Sequence, residues 1–214
     1  MYKIKISFAL LAVCFSILAF SQDKKAEQIL KKVAGKYKSF KSYKADFKYM
    51  LENKKDKLNI SKKGTLYVKQ SKFRLDIDGK EITCDNKTIW TYIKEANEVQ
   101  INDYDPSNTD ASPSRIFNIY EKGFISQFVE EKTEGGRVLQ LIELTPIDKK
   151  KSYFKVKLFI EKMNNQILRT KIFDKNGNIY TYEISKFQAH IKIKENFFSF
   201  DKKAHPGLEV IDLR

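Results

Sequence analysis

The sequence predicts an α+β protein in which a large antiparallel sheet carries helices on one face. Between Gly64 and Asn102, short sets of alternating apolar and polar residues are separated by turn sequences such as Asp78-Gly79-Lys80, a pattern typical of a meander of hairpins. From Asp23 to Ser39 the apolar residues instead recur at helical spacing, which predicts an amphipathic helix. Because the alternate strand positions are charged, one sheet face meets water and the other must be covered.

The period of two also assigns side chains to faces. A first strand is predicted over Tyr43 to Leu51, and Gly64 interrupts the return strand, where we expect a bulge or a sharp bend of the sheet. Later strands are predicted at 138–145, 154–160, 167–173 and 179–187, and a tail at 197–213 is expected to close the sheet edge. For Trp90 and Tyr92 a one-residue change of register would reverse the face. The side chains that we assign to the concave, apolar face are Phe47, Tyr49, Leu66, Val68, Phe73, Leu75, Trp90 and Tyr92.

The middle of the chain contains a loop and a second helix. Residues 104–113 are rich in Asp, Asn, Ser and Pro, which predicts a surface loop. A short apolar helix follows and ends at Gly123. A helix this short depends on contacts beneath it, so we expect it to lie on the sheet as a mobile lid. The residues assigned to the lid are Ile116, Phe117, Ile119 and Tyr120.

The N-terminal residues 1–21 have the pattern of a secretory signal peptide, with two lysines, an apolar run and small residues before Gln22. A membrane anchor is disfavoured because the apolar run is shorter than the roughly 20 residues that a spanning helix needs. Lipidation at Cys14 is disfavoured because Val13 is too bulky for that cleavage site. Residues 22–214 are then predicted to form one domain that contains a single cysteine, Cys84, and no disulfide.

The full chain has a net charge of +14, and removal of Lys3 and Lys5 with the leader leaves 39 basic residues against 27 acidic ones, or +12. Such a charge favours anionic partners, whether lipid headgroups, an acidic protein surface or nucleic acid. The lysines alternate with apolar residues, however, which also fits solvated outer faces of strands.

Motifs for catalysis are missing from the sequence. The two histidines have no neighbours at metal-ligand spacing, and neither a nucleophile elbow nor a phosphate-binding glycine loop is present. Cys84 lies within a predicted strand, where a small buried side chain is expected. We therefore expect that the protein is not an enzyme and that it binds neither a cofactor nor a metal ion. The 16 Phe, 11 Tyr and 1 Trp instead suggest a curved sheet that encloses more space than its helices fill, as in barrels that hold an apolar ligand.

A family resemblance rests on an ordered set of segments. After the first helix come Lys41-Ser42-Tyr43-Lys44-Ala45-Asp46-Phe47, then Gly64-Thr65-Leu66-Tyr67-Val68-Lys69, then Phe73-Arg74-Leu75, and finally Cys84-Asp85-Asn86-Lys87-Thr88-Ile89-Trp90-Thr91-Tyr92. This set resembles the LolA-type periplasmic lipoprotein carriers of the LolA/LolB superfamily. The family commonly has Arg-Pro where this chain has Gln70-Ser71, and that arginine helps to hold the lid closed.

The resemblance implies an unclosed β-barrel with a helical lid, whose concave face holds the acyl chains of lipoproteins that cross the periplasm. It implies a periplasmic monomer that is loaded by an inner-membrane ABC transporter and delivers to an outer-membrane acceptor, with no nucleic acid partner. One alternative is a periplasmic domain of the same fold that senses lipid or lipoprotein without transporting it. Another is an envelope esterase, which the missing nucleophile disfavours.

Overall fold

In the computed structural model, which describes residues 24–105 and 123–214, twelve strands form one curved sheet that does not close into a barrel. The strand order is β12-β6-β5-β4-β3-β2-β1-β11-β10-β9-β8-β7, and neighbours are antiparallel except that β12 runs parallel to β6. The strands are β1 Ser42–Asn53, β2 Leu58–Lys69, β3 Lys72–Ile77, β4 Lys80–Cys84, β5 Thr88–Ile93, β6 Glu98–Asp103, β7 Phe124–Glu134, β8 Arg137–Pro146, β9 Tyr153–Glu161, β10 Gln166–Asp174, β11 Asn178–Ala189 and β12 Glu209–Asp212.

The helix α1, described over residues 24–39, packs on one face of this sheet. Its apolar stripe is buried in the same core as residues of β1 to β4 and β8 to β10, and Val33 is fully buried. Burying one such side chain stabilises the fold by roughly 1.5–3 kcal/mol. We call this side of the sheet the helix-covered face. The helix residues that it buries are Ala26, Ile29, Leu30, Val33 and Tyr37.

Polar contacts place α1 toward one end of the sheet. Near the helix start, Lys25 Nζ lies 3.3 Å from a carboxylate oxygen of Glu131 in β7. Near the helix end, Lys36 Nζ donates to the carbonyl oxygen of Asn164 at 2.6 Å, and Tyr37 Oη accepts from the backbone amide of Ile167 at 3.3 Å. Asn164 belongs to the turn between β9 and β10. The helix therefore covers the end of the sheet that carries this turn.

Residues 190–214, the C-terminal strap, cover the opposite face of β2 to β6. Two short 3-10 turns, Glu195–Phe198 and Lys202–Ala204, lead into β12 at the sheet edge. Phe198 is 1% exposed, and the Phe197 ring packs against Tyr67 at 4.9 Å between centroids. The expectation that the tail pairs at the sheet edge is confirmed, and its aromatic residues also form a second apolar layer.

The sequence did not predict β7 as a strand. Its apolar residues at 124, 125, 128 and 129 fit a helical period as well as a strand with a bulge, and the structure has a register shift between Phe128 and Glu130. The predicted leader at 1–21 and the lid residues Ile116, Phe117, Ile119 and Tyr120 lie outside the described residues. Within 24–105 and 123–214, no helix is long and apolar enough to cross a membrane.

Candidate functional site

Strand register brings six of the eight predicted side chains onto the helix-covered face. Directly opposed residues of antiparallel strands share a face, and Val68 pairs with Tyr43 on one side and Phe73 on the other. The next row joins Leu66 to Leu75. The buried members lie in the core beneath α1 with exposures of 0–7%, whereas Tyr49 is partly exposed. The six residues on this face are Phe47, Tyr49, Leu66, Val68, Phe73 and Leu75.

Position 64 is a glycine because the Phe47 ring approaches its backbone closely, and not because its own strand has a bulge there. It pairs in continuous register with Phe47 of β1 and Ile77 of β3, while the register shift of β1 lies toward β11, between Asp46 and Phe47. A Cβ atom at Gly64 would lie only 2.6 Å from the tip of the Phe47 ring. The glycine therefore makes room for the aromatic ring that crosses it.

The assignment of Trp90 and Tyr92 to this face is wrong. Across the β4–β5 hairpin, Cys84 pairs with Ile89 and Ile82 pairs with Thr91, so the odd positions of β5 continue the helix-covered face. Asp85 determines this register, because its carboxylate accepts hydrogen bonds from the backbone amides of Lys87 and Thr88 at 2.9 and 2.8 Å. Trp90 and Tyr92 consequently lie on the other face of the sheet.

At Tyr92 the other face is not open to water, because the C-terminal strap lies over it. The Tyr92 ring lies 5.3 Å from Phe200 and 4.3 Å from His205 between centroids. Its hydroxyl donates to Asn97 Oδ1 at 3.1 Å, and Asn97 in turn donates to the carbonyl oxygen of Pro206 at 3.0 Å. Tyr92 is therefore a structural residue that helps to attach the strap.

Beyond the helix, the helix-covered face continues as a layer of partly buried apolar residues that the sequence reading did not include. Tyr49 of β1 stands beside Tyr182 and Tyr180 of β11, with ring centroids 5.3 and 6.5 Å away. The apolar alternation at positions 180, 182 and 184 could have indicated these residues, but the sequence analysis predicts that strand without assigning its side chains to a face. The partly buried residues that pack against the core include Tyr49, Ile77, Ile82, Ile89, Ile172 and Tyr182.

These phenols are neutral at physiological pH, and the protein environment makes them still harder to ionise. Burial raises the pKa of Tyr182, and the neighbouring Tyr49 and Tyr180 add to the effect. Burial likewise raises the pKa of Tyr49, again with a contribution from Tyr180. The cluster therefore presents uncharged aromatic surface, which suits an apolar ligand and gives no acid or base for catalysis near neutral pH.

Within the part of the chain that the structure describes, two clefts are lined by predicted residues. One of about 600 Å³ is lined by Phe47, but charged side chains such as Lys48, Lys63 and Asp76 form much of its wall. The other, of about 480 Å³, lies between the end of α1 and the sheet and is lined by residues that include Tyr43, Val68 and Gln70. Phe73 and Leu75 reach neither cleft. The partly buried aromatic layer is therefore a better candidate for apolar contact than either cleft alone.

Solved structures with little sequence identity have the same fold. An uncharacterized conserved protein from Thermus thermophilus superposes with a TM-score of 0.60 at 13% identity, and the match covers 88% of this chain and 99% of that one. A DUF1329 family protein from Desulfovibrio piger superposes with a TM-score of 0.50 at 12% identity, covering 86% and 99% of the two chains. At these identities the likeness concerns the fold alone.

Sequence comparison gives a relative and a family. An uncharacterized protein of Methanocaldococcus jannaschii is 26% identical over 207 residues, a match that covers 93% of this chain but only 58% of that protein. The family model described as outer membrane lipoprotein carrier protein LolA matches residues 38–201, which include the helix end, all strands from β1 to β11 and the first 3-10 turn. With a match over most of its length, the chain belongs to the LolA family of outer membrane lipoprotein carrier proteins.

Proposed function

We propose that this protein is a periplasmic carrier that binds the acyl chains of lipoproteins on its helix-covered face and transfers them from the inner to the outer membrane. It would act by binding alone, without covalent chemistry. The observation that carries the proposal is the layer of partly buried apolar residues beyond α1, which packs against the core yet keeps exposed surface. Membership of the LolA family supports it.

The geometry suits a long and flexible apolar ligand. The layer extends across strands β1, β3, β4, β5, β10 and β11, so it offers a broad curved surface and no narrow pocket. Burial of each methylene contributes about 0.8 kcal/mol, so a chain of roughly sixteen carbons gains on the order of 10 kcal/mol before the costs of binding. Such an affinity is compatible with transfer only if the covering elements can open.

The proposed partners follow from this role. Acylated lipoproteins are the cargo, an inner-membrane ABC transporter loads the protein, and an outer-membrane acceptor receives the cargo, while the carrier itself is a monomer. The contacts with loader and acceptor would be brief, and the net positive charge of the chain would accelerate encounter without enlarging the buried interface.

The test compares one substitution in the aromatic layer with one outside it. Tyr49→Glu introduces a charge among the partly buried aromatic side chains, whereas Met163→Glu places the same charge on a side chain that is 86% exposed in the β9–β10 turn. Titration with a fluorescent long-chain fatty acid is expected to give saturable binding for the parent and for Met163→Glu. Binding by Tyr49→Glu should fall at least tenfold, because an acyl chain cannot solvate the carboxylate.

Circular dichroism and thermal unfolding establish that both variants are folded before binding is compared. Equal affinity of the folded Tyr49→Glu variant and the parent would show that the acyl chain does not contact this layer. Absence of saturable binding by the folded parent protein would contradict the proposal as a whole.

A further inference from the structure

Three hairpin turns lie side by side at the end of the sheet opposite the β9–β10 turn. They are residues 54–57 between β1 and β2, 147–152 between β8 and β9, and 175–177 between β10 and β11. Asn53 at the end of β1 donates to Asn178 Oδ1 at 2.8 Å and to the carbonyl oxygen of Asn176 at 3.3 Å. The backbone amide of Lys175 donates to the Ser152 carbonyl oxygen at 2.9 Å. These bonds hold the three turns together as one surface.

This surface is strongly basic. The three turns contain seven lysines and two aspartates, and we call it the lysine rim. Asp174, at the base of one turn, is not exposed: burial acts to raise its pKa, but hydrogen bonds from Asn178, Asn176 and Tyr180 lower it overall. The carboxylate thus organises the turn and offers little compensation to the rim. The lysines of the rim are Lys54, Lys55, Lys57, Lys149, Lys150, Lys151 and Lys175.

Ion pairing distinguishes the rim from several other lysine-bearing surfaces of the protein. Elsewhere some lysines face carboxylates, as in Lys62 with Asp78 at 2.6 Å and Lys162 with Glu131 at 2.7 Å. Among the described residues, no carboxylate lies within ion-pair distance of six exposed rim lysines, namely Lys54, Lys55, Lys57, Lys149, Lys150 and Lys175. Their field is therefore directed outward and available to an anionic partner.

Two large apolar side chains stand among these charges. Ile147 is 60% exposed at the start of its turn, and Phe154 is 49% exposed just after the turn, beside the Phe173 ring at 6.4 Å. Basic side chains beside exposed apolar ones match the headgroup and upper acyl layers of a membrane. We propose that the lysine rim, with Ile147 and Phe154, docks the protein on a bilayer surface that contains anionic phospholipid.

Docking in this way would orient the protein usefully. Tyr180 lies two residues from the start of β11 and next to Tyr49, so the partly buried aromatic layer borders the rim. The helix α1 contacts the other end of the sheet. A protein that rests on the rim therefore points the aromatic layer toward the lipid. The inference goes beyond acyl-chain binding, because partition onto a bilayer requires no bound chain.

The experiment is sedimentation of the exported, purified protein with phosphatidylcholine vesicles that contain or lack phosphatidylglycerol. The rim variant replaces Lys54, Lys55, Lys149 and Lys150 with glutamine. The control replaces four exposed lysines away from the rim with glutamine, namely Lys31, Lys32, Lys202 and Lys203. Both variants carry the same net charge and the same N terminus, so only the position of the charge differs.

We expect the parent to bind anionic vesicles and not neutral ones. Salt at about 1 M should release the protein, because it shortens the electrostatic screening length to about 3 Å. Each lysine near an anionic surface contributes about a fivefold gain in partition, so the loss of two such contacts weakens binding about 25-fold and the loss of all four about 600-fold. The rim variant should therefore bind at least about 25-fold more weakly. The control should change less than about threefold. Phe154→Ser should also weaken binding, whereas Met163→Ser, at an exposed turn, should not.

Equal loss in the rim and control variants would show that net charge alone attracts the protein, and would overturn the assignment. Absence of binding to anionic vesicles would overturn it too. Binding to polyglutamate that depends on the rim lysines, without binding to vesicles, would assign the rim to an acidic protein instead. Fatty-acid titration of the rim variant separates this test from the proposed function, since the titration should match that of the parent.

Discussion

Replacement of Gly64 by alanine tests whether the core beneath α1 is packed as the structure shows. An alanine Cβ would lie 2.6 Å from the Phe47 ring tip and 3.1 Å from the carbonyl oxygen of Asp76. The ring is 4% exposed, so it has little room to move away. Overpacking of this kind costs about 1–3 kcal/mol. Replacing a strand glycine whose backbone suits alanine would otherwise stabilise the fold by roughly 0.4–1 kcal/mol, so we expect a net loss of about 1–2 kcal/mol.

A double-mutant cycle isolates the ring contact. In a Phe47→Leu background the ring tip is absent and only the 3.1 Å contact with the Asp76 carbonyl oxygen opposes the gain from alanine. Gly64→Ala should then be nearly neutral, which gives a coupling energy of about 1–2 kcal/mol. Gly35→Ala is the control, because no atom lies within 4 Å of a Cβ at that helical position, and it should stabilise by about 0.8–1 kcal/mol. Urea unfolding followed by circular dichroism measures all of these. Stabilisation by Gly64→Ala, or additivity with Phe47→Leu, would refute the packing argument.

Three further predictions concern stability and reactivity. Phe198→Ala should lower the unfolding free energy by about 3–5 kcal/mol in urea titrations, because the ring is 1% exposed under the strap; a loss below 1 kcal/mol would mean that the strap is detached in solution. Hydrogen bonds from Lys162, then Gln140 and Lys25, hold the pKa of Glu131 at about 2, against 4.5 unperturbed. The contribution of Glu131 to the free energy of unfolding is therefore present above pH 4.5 and is lost as the pH falls toward 2. Glu131→Gln should remove that part of the pH dependence in acid unfolding, and unchanged profiles would contradict the ion pair of Glu131 with Lys162. Burial raises the pKa of the Cys84 thiol, so it should react with a thiol reagent only on unfolding, and rapid reaction of the native protein would contradict its burial.

Much of the fold follows from the period of two, and the errors come from relations between strands. Within one strand the alternation shows which residues share a face. It does not show whether the odd-numbered or the even-numbered residues of the next strand lie on that same face. That depends on the length and chemistry of each turn. In each hairpin from β1 to β5 an even-numbered residue pairs with an odd-numbered one, as in Val68 with Phe73 and Cys84 with Ile89. The helix-covered face is therefore carried by odd-numbered residues in one strand and by even-numbered residues in the next. Assigning Trp90 and Tyr92 to the face that carries Phe73 and Leu75 missed one such change.

The second apolar layer, beneath the strap, is another reason why the face of Trp90 and Tyr92 was predicted wrongly. The β5 residues alternate Ile89 and Thr91 with Trp90 and Tyr92, so both faces of the strand carry large side chains. A strand with the apolar helix-covered face on one side and the strap on the other has no polar face to distinguish. The strap approaches from about a hundred residues further along the chain, and no local pattern reports that distance. The rim likewise joins lysines from three distant turns.

Native mass spectrometry of the protein recovered from the periplasm of a host that makes acylated lipoproteins tests the central claim most directly. A bound lipoprotein, a free lipid and an empty protein have different masses. We predict a population of carrier with bound acylated lipoprotein for the parent and for Met163→Glu, and loss of that population for Tyr49→Glu. A parent protein that is always recovered empty, or a Tyr49→Glu variant that retains its lipoprotein cargo, would contradict the account.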